Sequence, residues 1–206
     1  MDKAIGKRRS LDRLMIGLNG TEVAVASDRT SSPRLQDVNI GWLEKVRTRA
    51  PEQVKAEGSA ASGKVTIEAD GDYKSLDALV FAAVQMLDEH QRQRDDLVVI
   101  LNRELINARL LASAIGDSAG ETALSRIVST GRIAGIKYHE APFFPDAALL
   151  VTTFDNLSVY YQKGSVRRFI RNEPENDQVC DFLTVSEAFV VEDYGLAALV
   201  ENIEFT

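Results

Sequence analysis

The order in which helical and strand patterns follow one another constrains the fold of this chain more than any single motif does. Apolar residues at helical spacing form a stripe from Leu76 to Leu87, and Asp72 or Ser75 can cap its start. The β-branched run Leu97 to Leu101 is typical of a buried strand. Two more helical segments follow, and from residue 133 onward strand composition dominates. This order predicts an α+β fold in which helices and strands form segregated layers.

A separate helical pattern lies near the beginning of the chain. Four apolar residues follow the i, i+3, i+4, i+7 rule: Leu11, Leu14, Met15 and Leu18. Asn19-Gly20 predicts that the helix ends there with a residue in the left-handed conformation. Gly6 and the scarcity of apolar residues upstream of Leu11 predict that the helix begins abruptly. Residues 35–46 suggest a short second helix that ends at Ala50-Pro51.

Further elements are predicted in the second half of the chain. Asn102 can cap a helix whose inward residues are Leu105, Ile106, Leu110 and Leu111, and another helix is predicted from Glu121 to Ser129. Strand composition marks five segments: 133–138, 147–153, 157–162, 179–191 and 195–205. Lys163-Gly164 predicts a tight hairpin turn that joins residues 157–162 to a strand at 166–170.

Composition limits the kinds of protein that this chain can be. Its 31 acidic and 24 basic residues among 206 give a formal charge of -7, which argues against tight nonspecific nucleic-acid binding. The basic run Lys7-Arg8-Arg9 is interpreted as the solvated side of a helix. Cys180 is the only cysteine, predicted to be half-buried, so there is no intrachain disulfide and no cysteine metal cage. No segment has the apolar span of a membrane helix, and residues 1–13 lack a signal-peptide core, so we expect a soluble intracellular protein.

Residues 58–66, GSAASGKVT, resemble a phosphate-binding loop. The glycines and Lys64 have the spacing G-x-x-x-x-G-K, but the magnesium-binding hydroxyl should come next, and Val65 stands there instead, one position before Thr66. A phosphate loop also follows a buried strand and opens a helix. Here little apolar sequence precedes the loop, and strand-like alternation follows it. We therefore interpret the segment as the flexible, poorly ordered tip of a hairpin, with no nucleotide bound.

Other candidate chemical groups also have structural interpretations. His139-Glu140 should point to opposite faces of a strand exit, which disfavours a metal site. The pairs Glu192-Asp193 and Glu201/Glu204 are unsurprising in so acidic a chain and define no glycosidase-like cleft. Tyr160-Tyr161 should place one ring inward and the other outward. The sequence thus predicts no catalytic residue, no cofactor-binding residue and no metal ligand.

Seven blocks spread over nearly the whole chain are more informative than any single site. They are LDRLMIGLNGT (11–21), LQDVNIGWL (35–43), DYKSLDALV (72–80), DLVVILNREL (96–105), NLSVYYQ (156–162), RRFI (167–170) and FVVEDYGLAALVENI (189–203). Together, and in this order, they resemble the major capsid proteins of peduovirus-type tailed phages. None of the blocks is a catalytic fingerprint, and the specificity of the resemblance comes from their number and collinearity.

The resemblance implies the tailed-phage major capsid fold: an axial domain of helices around a small sheet, plus part of a peripheral domain with a spine-helix end and an elongated sheet. It implies three segments. Residues 1–71 would hold the end of the spine helix and a peripheral segment, residues 72–165 the axial domain, and residues 166–206 the return strands to the peripheral domain. Family members begin upstream with an arm, an extended loop and the first half of the spine helix. The chain is therefore expected to be a truncated, C-terminal part.

The function implied by the resemblance is structural, without catalysis or cofactor. The chain would be a subunit of a phage or prophage icosahedral capsid, made in the bacterial host cytoplasm and located in the virion. It would assemble with copies of itself into capsomers, with scaffold and portal proteins as further partners, and with no specific nucleic acid and no membrane. Residues 21–33, which are polar and rich in Ser, and residues 116–120, which contain Gly and Ser, are the expected contact loops. The alternative is a nucleotide-binding or hydrolytic enzyme that uses the 58–66 loop or His139.

Overall fold

The computed structural model describes residues 2–59, 63–68, 70–107 and 131–205. Its helices are α1 (Asp2–Asn19), α2 (Trp42–Arg49) and α3 (Leu76–Met86), and residues 103–107 are also helical. Its strands are β1 (Val54–Lys55), β2 (Val65–Ile67), β3 (Val98–Leu101), β4 (Arg132–Ile133), β5 (Ile136–Glu140), β6 (Leu149–Thr152), β7 (Leu157–Tyr161), β8 (Arg167–Glu173), β9 (Gln178–Thr184), β10 (Glu187–Val191), β11 (Ala198–Val200) and β12 (Ile203–Phe205).

A mixed sheet of six strands lies at the centre, in the order β1-β11-β6-β3-β5-β4. Strand β3 pairs in parallel with β5 and antiparallel with β6. Every residue of β3, β6 and β11 is buried. Strands covered on both faces consist of continuous apolar runs rather than alternating patterns, which explains why the sequence around β3 has no polar interruption.

Helices cover both faces of this sheet and divide the core into two clusters. On one face, α3 packs against β3, β6 and β11, with Leu79, Val80, Ala83, Val99 and Val151 among the buried residues. On the other face, α2 and the end of α1 pack against the same strands, with Leu18, Leu43, Val46, Val98 and Ile100 among the buried residues. The predicted α+β class is confirmed by this arrangement.

Several local predictions agree with the structure. Ser75 caps α3, because its Oγ accepts a hydrogen bond from the backbone N–H of Ala78 at 3.2 Å. Helix α2 ends just before Ala50-Pro51, but it begins only at Trp42, and Leu35 has a φ of 57° that a helix does not allow. The predictions at 110–111, 116–120 and 121–129 lie outside the described residues.

Helix α1 differs from its prediction at both ends. It extends through Gly6 to Asp2, so an abrupt start near Leu11 is not seen. Gly20 does not have a positive φ, so the left-handed stop is wrong. A Cβ on Gly20 would lie 1.9 Å from the backbone oxygen of Asn39, so the position requires glycine because two backbones approach closely. Neither α1 nor any other helix in the described ranges is both long and apolar enough to cross a membrane.

The predicted hairpin turn at Lys163-Gly164 is wrong. Strand β7 pairs antiparallel with β10, and β8 pairs antiparallel with β9. The chain therefore passes residues 162–166 without reversing, and it reverses only at 173–177, where Asp177 has a φ of 49°. Gly164 does have the positive φ of a turn, 79°, but the turn forms a bulge because β7 is already paired along its length with β10.

Candidate assembly surface

Strands β7 to β10 form one ribbon, two strands wide, that extends from the central fold. Its inner part is β7 paired with β10, and its outer part is β8 paired with β9. We call β7, β10 and the bulge at 162–166 the ribbon root, β8 with β9 the ribbon arm, and residues 173–177 the ribbon tip. At about 3.4 Å per residue, the six steps from Arg167 to Glu173 make the arm about 20 Å long. The root and the arm differ sharply in how they contact the rest of the molecule.

The ribbon root is fixed to α1 and α2. The indole Nε1 of Trp42 donates to the backbone oxygen of Ser158 at 2.9 Å, and its ring meets that of Phe189 edge to face at 5.1 Å between centroids. Arg13 donates from Nε to Glu187 Oε2 at 2.8 Å, and this hydrogen bond raises the pKa of Arg13. Aromatic packing and a charged hydrogen bond therefore set the direction in which the ribbon leaves the core.

The two tyrosines at the end of β7 mark where this support stops. Tyr160 and Tyr161 are 55% and 71% exposed, so the prediction of one inward ring is wrong. Among the described residues the ribbon has two strands here, and neither of its faces buries a tyrosine. Hydrogen bonds from Ser158 and Tyr160 lower the pKa of the Glu192 carboxyl, and the same carboxylate raises the pKa of Tyr160.

The ribbon arm is exposed on both faces. Every residue of β8 and β9 except Glu173 and Cys180 is exposed. Phe169 lies opposite Phe182 on one face, with ring centroids 6.3 Å apart. Large apolar side chains on the arm are between 40% and 66% exposed: Phe169, Ile170, Val179, Phe182 and Leu183.

Polar contacts hold the arm in register without covering these side chains. Arg168 donates to Asp181 on the opposite strand at 2.7 Å, and this contact lowers the pKa of Asp181. Hydrogen bonds from Gln178 and Asn176 lower the pKa of Glu173 beside the tip. An isolated two-stranded hairpin is marginally stable in water, and a contiguous exposed apolar surface marks a protein-contact site. The arm therefore has the properties of a surface that another protein covers.

The glycine loop has a structural role in the described residues. Ala60, Ala61 and Ser62 lie outside them. Lys64 Nζ pairs with Glu204 at 2.7 Å, and Gly58 leaves room for Asp72, whose carboxylate a Cβ there would approach to 2.0 Å. The loop leads into β2, where a phosphate loop would need a helix. The hairpin predicted around residues 58–66 is wrong, because the flanking strands β1 and β2 pair with different partners in different sheets.

The remaining candidate groups are spread over the fold. His139 is exposed and meets Phe154 edge to face at 4.7 Å, and Glu140 lies 4.0 Å from Arg103. Cys180 is half-buried and free, as predicted. Within the described ranges, no three His, Cys, Asp or Glu side chains come together as metal ligands.

The two acidic pairs have structural partners. Glu201 pairs with Arg47 at 2.6 Å, and Glu204 pairs with Lys64. Asp193 accepts from the backbone N–H of Gly195 at 2.9 Å and so caps a short 3-10 turn. Each of these carboxylates stabilises a connection between elements rather than facing another carboxylate across a cleft.

The central sheet and the exposed ribbon together define the fold of a phage capsid protein. The structure is similar to a chain of the satellite phage P4 procapsid that includes the size determination (Sid) protein, with a TM-score of 0.87, 39% identity and 98% of this chain covered. It is also similar to the capsid of an empty GTA particle computed with C5 symmetry, with a TM-score of 0.53 over 98% of this chain. At 17% identity, that second match shows the fold alone.

The sequence relatives narrow this class to one family. The chain is 41% identical over 209 residues to the capsid proteins of Escherichia phage P2, and 37% identical over 213 residues to the major capsid protein of Serratia phage KSP20. These matches cover 98% and 100% of this chain, and 58% and 61% of the relatives. The model of the family "Phage major capsid protein, P2 family" matches residues 1–203. The chain belongs to this family, which confirms the resemblance, and it spans about three fifths of the length of these relatives.

Proposed function

We propose that this chain acts as a structural subunit of a phage or prophage capsid, associating with further copies of itself and catalysing no reaction. The observation that carries the proposal is the ribbon arm, whose apolar side chains are exposed on both faces. Membership of a major capsid family supports copies of the same chain as the partner. In a closed shell every subunit can offer the same surface and have it covered by a neighbour.

A comparison of the free energy of side-chain burial with the free-energy cost of association favours contacts that repeat over several subunits. Full burial of a side chain such as Phe169 contributes about 1.5–3 kcal/mol, whereas forming one protein complex costs about 4–15 kcal/mol in lost freedom of motion. The five large apolar side chains of the arm must therefore be covered together to drive association. An assembly that uses the arm more than once per subunit would gain cooperatively from each contact.

Other properties of the chain support the same proposal. A formal charge of -7 disfavours nonspecific binding to packaged DNA. Val23 and Val25 are 65% and 109% exposed, which supports residues 21–33 as a second contact region. Family membership supports scaffold and portal proteins as further partners and a virion location after synthesis in the host cytoplasm. The division at 1–71, 72–165 and 166–206 is part of the same proposal, with the central sheet shared by all three segments through β1 and β11.

Sedimentation velocity over a range of protein concentrations tests self-association. We expect the wild-type chain to form concentration-dependent oligomers, and Phe169→Ser combined with Ile170→Ser to weaken them. Phe81 on α3 is as exposed as Phe169, at 63%, so Phe81→Ser is the matched control and should associate like wild type. A wild-type chain that remains monomeric at the highest concentrations would contradict the proposal.

Calorimetry with ATP and GTP tests the enzymatic alternative. A structural subunit should give no heat of binding at millimolar nucleotide, and Lys64→Ala should change nothing. Saturable heat that Lys64→Ala removes would instead establish a nucleotide site in the 58–66 loop.

A further inference from the structure

We infer that the acidic ribbon tip of one copy docks at the basic ribbon root of a second copy. The inference deepens the proposed function and rests on it, because it adds to the apolar contact of the arm two charged surfaces that orient the copies when they associate. It follows from the distribution of charge along the ribbon, which separates anions at one end from cations at the other.

The tip carries three carboxylates within five residues. Glu173 is paired with Arg171 and is therefore satisfied within its own copy. Glu175 and Asp177 are exposed, and neither has an ion pair in the part of the chain that the structure describes. Pro174 lies between them and Glu173 and adds an apolar ring to the same turn.

Cations surround two adjoining concavities at the root, and they are contributed by α1, the bulge and the first residue of the arm. A groove of about 480 Å³ has Arg9 and Arg13 on its α1 side and apolar walls from Val159, Tyr161, Val166 and Val185. Lys163 and Arg167 line a second concavity, which shares Val185 with the first. Within the described residues, Arg13 pairs with Glu187, whereas Arg9, Lys163 and Arg167 have no ion pair.

The two charged ends are too far apart to neutralise each other within one copy. The arm places them about 20 Å apart, whereas charges in water are screened beyond about 8 Å at physiological salt. The register contact between Arg168 and Asp181 keeps the arm extended. A second copy can bring a tip to a root, with two free carboxylates facing three free cations and Pro174 against the apolar walls.

This pairing gives the contact a direction. Each copy has one tip and one root, so a tip-to-root contact that is not reciprocated within a pair is heterologous and leaves an unused tip and an unused root at the ends of any open chain. Such contacts close into rings when the rotation between copies allows it. The same pairing guides copies into one orientation, because tip against tip and root against root bring like charges together.

Charge reversal with cross-mixing tests the inference by sedimentation velocity. One variant reverses the charge of the tip with Glu175→Lys and Asp177→Lys, and the other reverses the cations at the root with Lys163→Glu and Arg167→Glu. Each should raise the dissociation constant of self-association by about tenfold or more. A mixture of the two variants should associate like wild type, because each tip then meets a root of opposite charge. Glu89→Lys, an exposed reversal on the loop after α3, is the control and should have no such effect.

Disulfide trapping identifies which surfaces meet. In a Cys180→Ser background, chains with Glu175→Cys and chains with Arg167→Cys should form crosslinked dimers only when they are mixed. Efficient crosslinking of the Glu175→Cys chain with itself would show tip-to-tip contact and overturn the inference.

The two proposals fail in different ways. If the wild-type chain associates and both charge reversals leave that association unchanged, the inference is wrong and the proposed function stands. If the wild-type chain is monomeric under every condition, both the proposed self-association and the inference are wrong.

Discussion

The side chain of Asn156 binds both backbone polar groups of Asp193. Its Nδ2 donates to the carbonyl oxygen of Asp193 at 2.8 Å, and its Oδ1 accepts from the N–H of Asp193 at 2.7 Å. Asn156 is only 2% exposed, and Nδ2 also donates to Oγ1 of the buried Thr152 at 3.0 Å. One amide thus connects the start of β7 to the end of β10, where the ribbon joins the core.

Asn156→Ala is expected to destabilise the fold by about 1–3 kcal/mol, because it leaves the half-buried N–H of Asp193 without its partner, while the C=O of Asp193 keeps the hydrogen bond from the N–H of Leu196. Urea denaturation followed by circular dichroism measures the loss. Asn172→Ala, on the exposed arm, is the matched control and should stay within about 0.5 kcal/mol of wild type. Equal stabilities for the two variants would show that the Asn156 bridge contributes little.

Two glycines of α1 should respond oppositely to the same substitution. A Cβ on Gly17 would lie 2.3 Å from the ring of Trp42, so Gly17→Ala should destabilise by about 1–3 kcal/mol through overpacking. Gly6 has nothing within 4 Å of that position, so Gly6→Ala should stabilise by up to about 1 kcal/mol through helix propensity. Thermal unfolding of both variants checks this, and a shift of the same sign in both would contradict the packing argument.

Acid should loosen the ribbon before the core. The folded-state pKa values of Asp181, Glu173 and Glu192 are all lowered by hydrogen bonds. Depressed carboxyl pKa values contribute stability that is fully present above the unfolded values, near pH 4, and is lost as pH falls through the folded values. NMR signals of the Phe169 and Phe182 rings should change below about pH 4, while those of Val99 should not. Ring signals that are constant down to pH 3 would contradict this.

The glycine loop depends on Asp72 rather than on Lys64. The Asp72 carboxylate accepts from the backbone N–H groups of Ser59 at 2.6 Å and Thr66 at 3.1 Å, so Asp72→Ala should destabilise by about 2 kcal/mol. The pair between Lys64 and Glu204 is exposed on both sides, so Lys64→Ala should cost less than about 1 kcal/mol. Chemical denaturation compares the two, and a larger loss for Lys64→Ala would reverse this assignment.

Elements set by neighbouring residues could be predicted from the sequence. The stripe from Leu76 to Leu87 with its Ser75 cap became α3, and the run Leu97 to Leu101 became β3. Both follow from propensities and spacings within about a dozen residues. Family membership could also be predicted, because the blocks that carry it span the chain.

Long-range pairings could not be predicted from local patterns. Lys163-Gly164 has the composition of a hairpin turn, yet the partner of β7 is β10, with the whole of β8 and β9 between them. Gly20 has the composition of a helix stop, yet its role depends on Asn39, which approaches from another segment. The sequence of the arm does indicate its exposure. Apolar and charged residues are mixed on both of its faces, as expected where neither face meets a core.

The bulge at 162–166 makes the ribbon a lever with its pivot outside the core. With an arm of about 20 Å, a change of about 5° at the bulge moves the tip by nearly 2 Å. The contacts of Trp42 and Arg13 lie on the core side of that pivot and need not change. With such a change the core and the root keep one conformation while the arm meets neighbours at slightly different angles, as subunits on a curved surface must, and only a few exposed residues of the bulge adjust.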